Sequence, residues 1–463
     1  MEQAFAALQR FARSPAFKFF LILFLIVLLL VPLALVFGLV GEREGRAREV
    51  KGEVARVWGG VQQISGPFLV VPYTVRIETV QGDKRVEQTQ ERRAVFLPEK
   101  LDLKAEAASK VLYRSIYEVV VYTAKIAIEG SFVAPNMGDV AADVQSVRWG
   151  DAVLALGISD VSGLKEAATL TVNGQRQLPF APSLGVPTAQ QNGIHVKLAG
   201  AGEQLQAAPD QPLKPFAFSL QLVLGGSSLL DFAPAGRETT LTMTSDWPHP
   251  SFSGAFLPVD RSVRGDSFAA SWRVPHLARS VPHAWSLSSA PLDRLRAHQF
   301  GVQLIQPVDF YKLVTRAAKY GVLFLSLAFM AVFVLELVSG RRVHAVQYIF
   351  AGLAMVLFYV LLLSLAEQVG FASAYAIAAI ATGGMLSLYV AKALASRAQG
   401  AIMLAVFLVL YGMLYLILNL EDYALLAGAI LGFAALTAIM FATLKVEWSG
   451  RGSGPVPAPA PAE

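Results

Sequence analysis

Two blocks of apolar sequence leave this chain little choice of environment. Phe19–Val40 runs for 22 residues without a charge. From about residue 321 to 444, further apolar runs follow one another with short interruptions. A helix rises 1.5 Å per residue, so about 20 residues cross the roughly 30 Å hydrocarbon core of a bilayer. The first block is too long for the apolar region of a cleaved leader, and Gly38-Leu39-Val40-Gly41 is a poor cleavage site. It reads as a retained anchor. The second block divides into five spans, about 321–339, 347–366, 371–391, 401–420 and 423–444. Between the two blocks the chain has the composition of ordinary soluble protein. Over the whole chain 54% of residues are hydrophobic and 16% charged, against about 25% charged in a typical soluble domain.

Lys and Arg in the short loops set the orientation. With the N-terminus in the cytoplasm, the inner loops carry Arg341 and Arg342, then Lys392 and Arg397, then Lys445 and Arg451. The outer loops, at Glu367-Gln368 and Glu421-Asp422, carry no Lys or Arg. Arg43, Arg46, Arg48 and Lys51 oppose this bias, but long domains are translocated largely regardless of such charges. The expected order is a cytoplasmic N-terminus (1–18), an anchor (19–40), an external domain (41–308), a stem (309–320), a five-helix bundle (321–444) and a disordered cytoplasmic tail (445–463). Both termini are then cytoplasmic, and residues 41–320 lie outside.

The external segment has period two. Phe68–Ile77, Ser115–Ile128, Thr169–Val172, Phe216–Leu224, Thr239–Thr244 and Phe268–Val274 alternate as strands do. Asn173-Gly174 is a hairpin signal. Gly and Pro clusters separate the runs, and no fixed-period repeat occurs. The fold class is therefore membrane α+β. Six transmembrane helices, one N-terminal and five C-terminal, accompany a large all-β sandwich-type domain inserted after the first, as one sandwich or two packed lobes.

Catalytic signals are missing. The chain has no cysteine, which excludes thiol catalysis and Cys-ligated metals. No zinc-protease, nucleophile-elbow or P-loop pattern occurs. The six histidines, His195, His249, His276, His283, His298 and His344, show no ligand spacing on a helix. We expect no enzyme, no cofactor and no metal. The net charge of +5 does not point to nucleic acid, because the cations are scattered or flank membrane spans.

Three features stand out instead. Trp247-Pro248-His249-Pro250-Ser251-Phe252 is a stiff turn. Its prolines fix the backbone, so that Trp247, His249 and Phe252 are candidates for recognising a ligand or partner. In the stem, Asp309 is a candidate N-cap, and Phe310, Leu313, Val314 and Ala317 share one helix face. Lys312, Arg316 and Lys319 lie on another face and are candidates for contact with lipid phosphates, at ~1 kcal/mol per cation near an anionic surface. Within the spans Glu336 is the clearly ionisable residue, about one turn from the cytoplasmic end of the second span. An intramembrane acid is a functional candidate by default, here for coupling stem to bundle. Arg341 is poorly placed to pair with it on one helix face. The cores of the later spans lack the chain of acids that ion-coupled transport needs. Their polar atoms are those of Tyr359, Ser364, Tyr375, Ser387, Tyr411 and Tyr415. Gly428 and Gly432 permit close helix packing.

Several stretches resemble the CreD family of bacterial inner-membrane, envelope-integrity proteins. They are Gly66–Pro72, Leu241–Phe252 with its W-P-H-P-S-F core, Asp309 through Glu336, and His344–Tyr348 on to Glu367. Ala345 and Val346 depart from the family pattern of a Pro followed by an aliphatic or Met residue. The resemblance covers nearly the whole chain except the Pro/Ala-rich tail. It implies a bacterial inner membrane, a periplasmic β domain, expression under the Cre two-component system and a part in envelope and stress homeostasis. It carries over no catalytic residue. The expected partners are membrane lipids, anionic ones included, and a periplasmic or inner-membrane protein. The runner-up reading is a transporter of lipid or envelope precursors.

Overall fold

The computed structural model describes residues 15–444 apart from 82–83, 187–191, 207, 209, 288, 307–308, 342 and 421–422. Arg10, Arg13, Arg342, Glu421, Asp422 and the tail from 445 lie outside the described residues. The chain divides into two compact units. One combines the residues up to Arg46 with those from Val308 on, and the other is Ala47–Pro307.

The membrane unit begins with α1, Pro15–Trp58. Five helices here meet the length and apolarity needed to cross a membrane, by length and composition. They are α1, α4 (Gly321–Ser339), α5 (Ala345–Val369), α6 (Phe371–Ala393) and α7 (Arg397–Asn419). A sixth, α8 (Ala424–Thr443), contains the apolar stretch Leu425–Ala438. α2 (Ser289–Ala297) belongs to the β unit, and α3 (Phe310–Lys319) is the stem, followed at once by α4. In hydrocarbon an unpaired peptide group is costly, so these runs close their hydrogen bonds internally as helices.

α1 has a buried stripe at Ile22, Leu25, Leu29, Leu33, Val36 and Val40, while Phe20, Phe24, Val27, Val31 and Leu35 stay exposed on the other side. That three-four spacing lets one face pack while the other meets lipid. Gly352 of α5 makes the close approach possible. A Cβ there would lie 2.1 Å from Leu29 Cδ1 and 2.8 Å from the Phe329 ring. α1 is longer than the apolar run that signals it. Its 44 residues reach ~66 Å at 1.5 Å each. Beyond Val40 it continues through a Glu/Arg-rich segment in which Glu42–Arg46 and Glu44–Arg48 have the i,i+4 spacing that favours helix.

The strands of the β unit are β1 (Gln62–Gln81), β2 (Lys84–Phe96), β3 (Lys100–Arg114), β4 (Tyr117–Phe132), β5 (Val144–Val147), β6 (Val153–Ile158), β7 (Thr169–Val172), β8 (Arg176–Pro179), β9 (Ala181–Pro182), β10 (Gly193–Lys197), β11 (Phe216–Ser227), β12 (Leu229–Phe232), β13 (Glu238–Ser245), β14 (Pro250–Gly254), β15 (Asp260–Val263), β16 (Phe268–Pro275), β17 (Ala284–Ser286) and β18 (Phe300–Leu304). They form two sheets. An eight-stranded sheet has the order β15-β16-β13-β3-β4-β11-β7-β8. A ten-stranded sheet follows β14-β18-β12-β1-β6-β10-β9, with β2, β5 and β17 joined off that path. Two pairings are parallel, β1 with β12 and β3 with β13.

One hydrophobic core draws on both sheets, from Leu69, Val71 and Leu154 of one to Leu103, Leu220 and Trp272 of the other. The unit is thus a single sandwich, which settles the choice between one and two lobes. β3 alternates strictly between exposed and buried over most of its length, leaving a polar outer face. β6 is buried at every position, as befits a central strand covered on both sides. Asn173 and Gly174 take φ of 50° and 73°, and the Gln175 amide returns to the Val172 carbonyl at 3.1 Å, closing the hairpin their sequence signals.

The helix-to-sheet junction fixes where the sandwich begins. Gly59 and Gly60, at φ +130° and +56°, end α1. A Cβ on Gly59 would meet the Gly225 carbonyl oxygen at 2.4 Å and Gly163 Cα at 2.6 Å, so this position admits only glycine. The buried Gln62 side chain donates from Nε2 to the carbonyls of Asp160 and Gly225, both at 3.0 Å. The Trp58 indole donates to the Tyr122 carbonyl at 2.9 Å, and the Lys165 ammonium lies 4.7 Å from the Trp58 ring centroid.

Candidate functional site

In the membrane unit, two carboxylates are built into the bundle. Glu336 lies in the last turn of α4, its side chain 6% exposed. Its Oε1 accepts a short hydrogen bond from the Lys18 ammonium of α1. Its Oε2 accepts from the Tyr348 hydroxyl of α5 at 3.1 Å. Lys18 donates a second bond to the Val343 carbonyl at 2.7 Å and lies 5.7 Å from the Tyr348 ring centroid. Glu367, near the end of α5, repeats the arrangement. Its side chain is 4% exposed, and Oε2 meets Arg43 Nη2 of α1 at 2.7 Å. Its Oε1 accepts from the Tyr311 hydroxyl of α3 at 3.0 Å.

Each clamp joins an α1 cation, a bundle carboxylate and a phenol. Desolvating a lone charge is prohibitive, and an ion pair with its remaining lone pairs hydrogen-bonded recovers the cost. Lys18 and Arg43 are 25 positions apart on one helix, which puts the clamps ~37 Å apart at 1.5 Å per residue. That separation brackets a hydrocarbon core of about 30 Å. The Glu367-Gln368 loop expected between spans is therefore still helix, and Glu367 is interior rather than solvated. Of the four cations that oppose the charge bias, Arg43 is paired by this acid.

The stem residues fall as follows. Asp309 caps α3 by accepting from the Tyr311 amide, and Lys312 Nζ lies 3.8 Å from its Oδ2. Arg316 donates to the carbonyls of Ile417 and Leu420 at 3.3 and 3.4 Å, where α7 ends and its last carbonyls lack intrahelical partners. Lys319 is exposed. The buried face of α3 is Tyr311, Val314, Ala317 and Ala318, with Phe310 and Leu313 half-buried. It is rotated slightly from the expected 310/313/314/317 stripe because Tyr311 must reach Glu367.

The tyrosines between the spans face one another. Tyr375 donates to the Tyr411 carbonyl at 2.6 Å, and the Tyr411 and Thr382 hydroxyls are 3.1 Å apart. The Phe358 ring lies against both tyrosines, at 5.6 and 4.7 Å between centroids. A void bounded by Val332, Tyr348 and Tyr389 measures about 10 Å³, at the limit for a single water.

In the β unit, the W-P-H-P-S-F segment joins β13 to β14. The Trp247 indole donates to the Ile305 carbonyl at 3.0 Å, and the Ile305 amide donates to the His249 carbonyl at 3.1 Å. His249 itself is exposed, edge-on to Trp247 at 6.3 Å. Phe252 lies on β14, its ring edge-on to Phe268 and Trp272 at 6.0 and 5.9 Å. The Arg261 guanidinium sits 6.0 Å from the Phe252 ring centroid. The structure thus brings the three aromatic residues to one border of the sandwich, with Phe252 as the inward anchor and the imidazole outermost. Ser245 and Asp246, which lead into Trp247, line a cleft of about 670 Å³ on the eight-stranded sheet.

Two buried polar groups elsewhere in this unit were not singled out by sequence. Asp231 is held up at about 6 by burial, and its Oδ1 has no hydrogen-bond partner. Burial lowers Arg279 to about 10, although it donates to the Ala235 and Gly236 carbonyls. Among the described residues, no group of three or more His, Asp and Glu is placed to hold a metal ion.

A family model described as Inner membrane protein CreD matches residues 14–449. The chain belongs to the CreD family. Inner membrane protein CreD of Escherichia coli (strain K12) is 30% identical over 423 residues, covering 91% of this chain and 91% of that protein. As a CreD-family protein with several apolar helices, the chain is a multi-pass protein of the inner membrane. Both clamps and the W-P-H-P-S-F turn fall within the matched residues.

Proposed function

We propose that the β sandwich faces the periplasm and binds a component or partner protein of the cell envelope, and that the membrane unit is its non-enzymatic anchor. The protein serves envelope integrity through that binding. One observation carries the reading: the membrane unit spends its polar groups on itself. Glu336 and Glu367 have both oxygens occupied, and the void bounded by Val332, Tyr348 and Tyr389 is water-sized. A lipid or precursor transporter needs a passage, and this void is too small to serve as one. The β unit, by contrast, presents Trp247 and His249 on a frame fixed by two prolines, at the border of a large cleft. Lys312 and Lys319, exposed on the stem, are the cations we assign to lipid phosphate, while Arg316 also ties α3 to the end of α7. Glu336 joins α1 to the bundle, and Glu367 joins the stem to it.

Native mass spectrometry of the protein released from nanodiscs tests this. The expected result is a co-purifying envelope component or partner that is lost on Trp247→Ala and retained on Lys312→Gln/Lys319→Gln. A species lost only with the stem cations, and identified as lipid, moves the function to the membrane unit and overturns the proposal.

A further inference from the structure

The cleft beside Trp247 has a chemistry of its own. It lies on the outer face of the eight-stranded sheet, where the register sets out one row across five strands. Lys125 of β4 pairs with Glu106 of β3, and Glu106 with Thr244 of β13. Thr244 pairs with Ala269 of β16, and Ala269 with Ser262 of β15. All five are exposed and all line the cleft. Neighbouring strands are about 4.8 Å apart, so the row is ~19 Å long. Arg264 and Asp246 add a second cation and a second acid to the lining, and Asp246 is oriented by accepting from the Ser109 amide at 2.7 Å.

Two properties separate this row from an ordinary solvated face. It bounds a cleft of about 670 Å³, within the 300–1,000 Å³ usual for small-ligand sites. Its charges are also uncommitted. Glu106 and Lys125 are direct cross-strand neighbours, yet among the described residues neither they nor Arg264 appear in an ion pair or side-chain hydrogen bond with another residue. Cations and acids along one groove, with hydroxyls at Thr244 and Ser262 and the small Ala269 between them, match a ligand that carries both charges. Aromatic platforms of the kind that stack sugar rings are absent from the described lining, whose one aromatic residue, Phe268, is buried.

We infer that this cleft binds a short peptide with free amino and carboxylate groups, laid across the strands from Glu106 toward Arg264. An extended chain advances about 3.3–3.6 Å per residue, so the row accommodates five or six residues. The ammonium pairs with Glu106 and the carboxylate with Arg264, just beyond β15, the strand three places along the row. This inference rests on the reading that the β unit binds an envelope component, and it names that component's chemistry.

The test is calorimetric titration of the full-length protein in nanodiscs with penta-alanine. Penta-alanine with free termini is expected to bind, and the acetylated, amidated peptide to bind at least tenfold more weakly. Glu106→Gln and Arg264→Gln, both at exposed positions, are each expected to weaken the free peptide at least tenfold. Lys197→Gln, on the other sheet, is expected to leave it unchanged. Equal affinity for the blocked peptide, or indifference to the Glu106 and Arg264 changes, overturns the inference. If penta-alanine fails to bind while a co-purifying species is still lost on Trp247→Ala, the ligand class is wrong and the binding role stands. If both fail, both readings fall.

Discussion

Glu336 and Lys18 stand 318 positions apart in the chain and share a hydrogen bond inside the bundle. The acid was legible as an oddity, because a carboxylate within an apolar run has to be explained. Its partner was not. Helix spacing advertises neighbours three or four residues away, and Arg341 was the nearby cation, whereas Lys18 reads by itself as a topology signal. The same holds for Arg43, whose awkward position becomes intelligible only beside Glu367. Removing one member of a buried pair strands the other charge, at about 3–5 kcal/mol. Glu336→Gln is therefore expected to lower the unfolding temperature of the purified protein by several degrees. Lys18→Met combined with Glu336→Leu is expected to cost less than either single change with a charge left behind. Additive losses in differential scanning fluorimetry would show that the two residues do not act as a pair.

Asp231 gives a pH-dependent expectation of the opposite kind. Burial raises its folded pKa from the ordinary value near 3.8 to about 6, so the folded state holds the proton more tightly than the unfolded chain does. Its contribution to stability is full below about pH 4 and is lost as pH rises through about 6. The nearby Tyr122 hydroxyl donates to the Leu229 carbonyl and stays protonated across this range, its own pKa raised by burial first and then by Asp231. Asp231→Asn is expected to raise the melting temperature at pH 7.5 and to leave it unchanged at pH 4. A melting curve that moves equally at both pH values contradicts this.

Elements were legible where one pattern governed them. The alternation at Phe216–Leu224 and Phe268–Val274 gave strands because each has one face on the core. β2, with the sequence Lys-Arg-Val-Glu-Gln-Thr-Gln-Glu-Arg-Arg, carries no strand signal because most of it is polar on both faces. Its tertiary context makes it a strand, through thirteen register pairs with β1. The far half of α1 is silent in the sequence for a related reason, since apolarity marks a membrane span and its charged extension carries no such mark. Two elements have sharp tests. Gly59→Ala places a methyl group 2.4 Å from the Gly225 carbonyl oxygen, and it is expected to abolish folding of the β unit, read as loss of protease resistance. Arg316→Gln removes the donor to the Ile417 and Leu420 carbonyls. It is expected to cost about 1–2 kcal/mol through unsatisfied helix-end groups, without loss of expression.

For the whole molecule, the order anchor, β domain and bundle followed from the distribution of apolar residues alone. The sheet order did not. The parallel neighbours β3 and β13 are joined through more than 120 residues of intervening chain, and no local signal reports such a pairing. The cleft on that sheet was equally hidden, because its row of residues comes from five separate strands. Orientation in the membrane is open to a direct measurement, and the absence of cysteine gives a clean background. Ser267→Cys, in the β unit, is expected to react with an impermeant maleimide in spheroplasts. Ser396→Cys, between α6 and α7, is expected to react only after the membrane is broken. The reverse pattern would invert the topology.

The clamps also impose a schedule on biogenesis. Lys18 and Arg43 precede the sandwich in the chain, while Glu336 and Glu367 follow only after the entire sandwich has been synthesised. Throughout that interval the newborn anchor holds two cations with neither acid yet in existence. They must rest among headgroups and water at the two faces of the bilayer. α1 is thus made before the helices that carry its two acids, and the ion pairs can act only as a seal set after the sandwich rather than as a guide before it.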